Sequence, residues 1–148
     1  MNQEIFALQD TPIVGHSVFL AGPTPRNHAT PSWRPHMINL LRKSRYYGDI
    51  LIPEKEGNYM DYDYETQTKW EVKYLNEASL ILFWVPRSIP TMPAFTTNIE
   101  FGEFMHSGKI ILGYPIGAEK MRYLKVRADM HSIPVVHTME ELVNYALL

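Results

Sequence analysis

The sequence predicts an α/β fold: a mainly parallel five-stranded sheet, doubly wound, with helices on both faces. Residues 78–85 are apolar at nearly every position, and a strand without polar alternation is one covered on both sides. Short apolar runs alternate with segments of helical periodicity, the order expected of parallel strands joined by crossover helices. The runs stop at glycine or proline, at Gly22, Pro53 and Pro86, as strands feeding turns do.

Taken in order, Ser17–Ala21 reads as a buried strand closed by Gly22-Pro23. Pro25, Pro31 and Pro35 stiffen the next segment, and Trp33, Met37, Leu40 and Leu41 space out a helix over residues 32–44. Residues 49–53 form a second strand stopped by its proline. Residues 54–65 are polar and tyrosine-rich, a loop in which Tyr59, Tyr62 and Tyr64 are either an aromatic lid or ordinary loop residues. Trp70, Tyr74 and Leu75 set a helix over 66–77, and the central strand over 78–85 comes next.

Residues 86–95 hold three prolines and make a loop. A helix over 97–107 then ends near Gly108, placed as a C-cap glycine. Strands at 109–114 and 133–136, with room for a helix between them, and a closing helix over 138–148 complete a flavodoxin-like order. In such sheets ligands bind beyond the carboxyl ends of the strands. That rule singles out residues 22–26, residues 86–97 and the loop after Tyr114.

The totals suit one domain over residues 1–148: 45% of the residues are hydrophobic and 20% charged. A net charge of −2 gives no case for a nucleic acid polymer or an anionic membrane as partner. The absence of cysteine excludes disulfides, thiolate catalysis and cysteine-based zinc sites, and fits a reducing compartment. The first residues carry no signal pattern, and the longest apolar run is too short to span a bilayer. A cytoplasmic location is expected. The six histidines show no metal-ligand spacing, so no metal is expected either.

Glu100 is the first candidate for chemistry, expected in the opening turn of its helix, where the dipole holds a carboxylate ionised. Such a carboxylate can attack an electrophilic sugar carbon. Thr97-Asn98-Ile99-Glu100 is also a capping-box pattern, repeated at Thr68–Glu71 and Thr138–Glu141, and position alone favours the cap. Glu103 shares the Glu100 face and reads as a solvated charge, whereas Gly102 between them suggests close packing by a neighbour or a ligand. Glu71 is either a surface charge or a hydrogen-bond partner to a base. In the turn after the first strand, the amides of Gly22 and Thr24, the Thr24 hydroxyl and Arg26 can meet sugar or phosphate oxygens, but a tight structural turn explains the pattern almost as well.

Phe19-Leu20-Ala21-Gly22-Pro23, Trp70-Glu71, residues 74–78, the strand at 80–85 and Thr97-Asn98-Ile99-Glu100-Phe101-Gly102 together resemble the nucleoside 2-deoxyribosyltransferase superfamily, as a divergent branch. The resemblance spans about residues 17–115. It implies that Glu100 is the nucleophile and that Glu71, where the family more often has Asp, binds or protonates the base. It further implicates Gly22, Pro23 and Thr24 in holding the nucleoside. The family usually carries Asp or Ser about six residues before the nucleophile; here Ala94 stands there, with Thr96 or Thr97 as substitutes. With the resemblance, the nucleophile reading of Glu100 overtakes the cap.

The activity so implied is a pentosyltransferase that cleaves the N-glycosidic bond of a (deoxy)nucleoside through a glycosyl-Glu100 intermediate and passes the sugar to another base. One alternative is an N-glycosidase acting on a (deoxy)nucleoside 5′-monophosphate, with Arg26 on the phosphate. A non-catalytic nucleotide-binding module, which Ala94 supports, is the other. No cofactor is required. Related enzymes are oligomeric, and crevices of this kind are often completed by a neighbouring subunit, so a homo-oligomer is expected.

Overall fold

A computed structural model describes residues 3–27, 29–56 and 63–148. His28, Tyr59 and Tyr62 lie outside the described residues. Within those residues eleven elements succeed one another: β1 (Glu4–Phe6), β2 (Ser17–Ala21), α1 (Arg34–Lys43), β3 (Asp49–Ile52), α2 (Tyr64–Glu77), β4 (Leu80–Trp84), α3 (Phe95–Phe104), β5 (Ile110–Gly113), α4 (Arg122–Met130), β6 (Val135–Val136) and α5 (Met139–Ala146).

The strands form one sheet in the order β1-β3-β2-β4-β5-β6, and every neighbouring pair is parallel. The sheet has six strands where five were expected. The addition, β1, is a three-residue edge strand that pairs only with β3. Three residues are too few to show a period, and Ile5 alone marks its buried face.

Alternate residues of each strand feed two separate cores. Phe19, Leu51, Ile81 and Phe83 pack with Trp70 and Tyr74 of α2, Phe101 of α3 and Leu124 of α4. Val18, Leu20, Ile50 and Leu82 pack on the other side with Met37 and Leu41 of α1 and Leu142 of α5. Both faces are therefore covered, which is why β4 reads as an unbroken apolar run.

Helix ends differ from expectation where capping chemistry misled. Of the three Thr-x-x-Glu repeats only Thr138 caps a helix, its hydroxyl accepting from the Glu141 amide at 3.1 Å. Thr68 lies inside α2, which starts earlier, at Tyr64, behind the N-cap Asp63, whose carboxylate accepts from the Thr66 amide at 2.9 Å. Thr97 lies inside α3. Gly108, with φ +75°, falls beyond the α3 C-cap at Met105 and turns the chain into β5 instead.

The sheet order reverses around β2: the chain steps from β2 to β3 on one side, then crosses to β4 on the other. The carboxyl ends of β2 and β4 are thus the switch point at which a crevice opens.

Candidate active site

The β2 end is shaped by a close approach. Gly22 has φ +146°, and a Cβ there would lie 2.0 Å from the Trp84 carbonyl oxygen and 2.8 Å from the Trp33 ring. Only glycine fits, and the chain then turns through Pro23, whose carbonyl accepts from Trp33 Nε1 at 2.9 Å.

Arg34, the first residue of α1, holds this turn from beneath. Its Nε donates to the Leu20 carbonyl at 3.0 Å, Nη2 to the Gly22 carbonyl at 2.6 Å and Nη1 to Thr24 Oγ1 at 2.9 Å. Nη1 also pairs with Glu54 Oε2 at 2.6 Å, and Ser32 Oγ donates to the same oxygen at 2.6 Å. A buried guanidinium is tolerable only when its donors are satisfied in this way.

α3 starts at Phe95, behind an N-cap residue, Ala94, in the left-handed region at φ 61°, ψ 40°, with no side-chain cap. An alanine there costs roughly 1–2 kcal/mol in local conformation, which the surrounding packing holds in place. Starting two residues earlier than expected moves Glu100 out of the opening turn and into the second. Two expectations fall with that shift. Glu100 does not cap its helix, and the helix dipole does not hold it ionised, since that field fades within the first turn.

The opposite holds. Burial, the neighbouring Glu71 carboxylate with a hydrogen bond between the two, and Glu103 together push the Glu100 carboxyl up to about 8, against the pull of Arg34. Burial and the like charge of Glu71 thus hold a proton on Glu100. Glu71 is itself oriented by Gln67, whose Nε2 donates to Glu71 Oε2 at 2.8 Å and to the Pro53 carbonyl at 3.3 Å.

These groups surround one cavity of about 480 Å³. Its lining includes Gly22, Pro23, Thr24 and Arg26 from the β2 turn. Glu71 contributes from α2, and Thr96, Thr97 and Glu100 from α3. Gly22, Pro23, Thr24, Arg26, Glu71, Thr96, Thr97 and Glu100, all singled out from the sequence, therefore border the same space. Thr97 is buried and Thr96 exposed, and both line the cavity alongside Ala94. Glu103 is exposed at its edge, and Tyr64 projects there at 76% exposure.

Some expectations are not met. The loop after Tyr114 does not line the cavity. At Gly102 an added methyl group would have nothing within 4 Å of it, so no neighbouring element of the fold packs closely there. Among the described residues no cluster of three or more histidine, cysteine or acidic side chains is arranged to hold a metal, and no helix is long and apolar enough to cross a membrane.

The sequence reading missed Arg34, Glu54 and Gln67. A signal for Arg34 existed: with Met37 and Leu41 it makes up the buried stripe of α1, and an arginine on such a stripe needs a partner. Glu54 and Gln67 carry no comparable mark.

The model of a nucleoside 2-deoxyribosyltransferase-like family matches residues 15–117. No match is found among curated proteins. Among solved structures, a conserved protein from Enterococcus faecalis V583 superposes with a TM-score of 0.62 over 89% of this chain and 97% of that one. At 14% identity this likeness concerns the fold alone.

Proposed function

The chain belongs to the nucleoside 2-deoxyribosyltransferase-like family, and from that premise we propose that it transfers the sugar of a (deoxy)nucleoside between bases, with Glu100 as nucleophile and Glu71 as its acid–base partner. The observation that carries this reading is the half-buried Glu100 carboxyl, set beside Glu71 at a cavity of about 480 Å³. That volume falls within the roughly 300–1,000 Å³ usual for small-molecule sites.

A one-proton pair suits the chemistry. With the proton on Glu71, Glu100 is an anion able to attack C1′. The new C1′–O bond forms as the N-glycosidic bond breaks, its electron pair leaves with the base, and the Glu71 proton neutralises that base. An acceptor base then attacks C1′, the ester bond returns its electrons to Glu100, and the acceptor's proton goes to Glu71. Two inversions give net retention.

Incubating the protein with a deoxynucleoside and a second free base is expected to yield the exchanged nucleoside, resolved by chromatography. No exchange across purine and pyrimidine donors would remove the transferase reading. The second reading, hydrolysis of a nucleoside 5′-monophosphate, is favoured by Arg26, which is exposed on the cavity wall. Glu71, Glu100 and Glu103 border the same space, so a phosphate dianion meets repulsion there, and the uncharged nucleoside is placed first.

Homo-oligomerisation belongs to the same reading. Around the cavity the large apolar side chains Tyr64, Val72, Phe95 and Ile99 stand exposed, and a second copy covering them accounts for that exposure. Sedimentation should give a dimer or larger; a monomer mass at tens of micromolar would count against it.

A further inference from the structure

Arg34 occupies a place that packing would otherwise give to an apolar side chain: it is 1% exposed, one turn before Met37 on the sheet-facing side of α1. A guanidinium does not shed its charge on burial, so its contacts must offset the desolvation. Those contacts divide into two sets. Leu20, Gly22 and Thr24 belong to the β2 end and its turn, whereas Glu54 lies just beyond β3.

Arg34 also lines the cavity that Glu100 borders. Burial, Glu71 and Glu103 all favour the neutral form of Glu100; Arg34 acts in the other direction. The remaining titratable groups on the cavity wall are Tyr64 on α2 and Arg26 in the β2 turn. Glu54 is bound to Arg34 itself.

We propose that Arg34 is the positioning residue of this site: it fixes the turn at residues 22–24 against the cavity and sets a positive charge on the wall that Glu100 borders, with Glu54 setting how much of that charge reaches Glu100. The role in turnover rests on the transferase reading; the charge coupling does not.

The test follows the Glu100 carboxyl through its titration by NMR of ¹³C-glutamate-labelled protein, the resonance being assigned by its loss in Glu100→Gln. Glu54→Gln leaves the Arg34 charge uncompensated and should lower the midpoint by about one pH unit from its starting value near 8. Arg34→Met combined with Glu54→Gln removes both charges, leaves no unpaired carboxylate buried, and should raise it by a similar amount. Circular dichroism identifies the folded variants, and an unmoved midpoint in either of them when folded overturns the proposal.

Arg34→Lys retains the pair with Glu54 and tests the other half even when the charge-removing variants unfold. Its midpoint should hold. Having no planar fork for three separate acceptors, it should let the amides of Gly22 and Thr24 exchange with solvent at least about tenfold faster than in the parent. Unchanged exchange there refutes the positioning role. Shifted midpoints without base exchange would remove the transferase reading and leave this inference standing.

Discussion

Glutamine in place of Glu100 is expected to lower base exchange by at least about a thousandfold and, in the same protein, to stabilise the fold at neutral and alkaline pH. Loss of a covalent nucleophile typically costs that much or more. The stability gain comes from proton linkage. Glu100 ordinarily ionises at 4.5 and in the folded protein is pushed up to about 8. Between those values the native state holds a proton that the unfolded chain has released. Stability therefore falls as pH rises through that window: the carboxyl's contribution is complete below 4.5 and gone above about 8.

Glutamine is neutral throughout and keeps a donor for Glu71, so the variant escapes this loss. Wild type and variant should coincide near pH 4.5 and diverge to about 2–3 kcal/mol by pH 9, less than the whole shift implies because Glu71 and Arg34 readjust. Urea unfolding at both pH values measures the difference. Parallel stabilities across the range would mean that Glu100 is not held protonated in the native state. The variant thus separates two statements: inactivity speaks to the nucleophile, and divergence speaks to the proton held on Glu100. A residue whose removal strengthens the fold while ending activity is one retained for chemistry.

How much of this could be read from the sequence depends on whether the responsible contact is local. β4 was legible because burial on both faces leaves no polar position in the run. The places of Gly22 and Glu100 on one cavity were legible because the ends of parallel strands are where such sheets open a crevice. The start of α3 was not, because Thr97 and Glu100 imitate a capping box while the helix actually begins at Phe95, behind a left-handed Ala94 with no side-chain cap. The state of Glu100 was misjudged for the same reason: an opening-turn carboxylate is stabilised by the dipole, a second-turn one facing Glu71 is not. That Glu71 meets Glu100 across two helices, and Arg34 meets Glu54 twenty residues on, are pairings made by the tertiary fold. Neither has a period or a spacing that announces it.

Alanine at Gly22 should be the most damaging single-methyl change in the chain, costing about 3–5 kcal/mol or preventing folding altogether. The added Cβ would meet the Trp84 carbonyl oxygen at 2.0 Å, far inside contact distance, and that oxygen belongs to the backbone of the neighbouring strand and cannot rotate aside. The Trp33 ring at 2.8 Å is held by its bond to the Pro23 carbonyl. Relief requires moving the β2 turn, and that displaces the Gly22 carbonyl and Thr24 hydroxyl from Arg34, stripping acceptors from a buried cation. Gly102→Ala is the matched control: it sits within α3 with nothing within 4 Å of its new methyl, and should stabilise by roughly 0.5–1 kcal/mol through reduced backbone entropy in the unfolded chain. The two urea midpoints should move in opposite directions. A Gly22→Ala protein as stable as the parent would show that the strand ends are not in the close contact on which the cavity's shape depends.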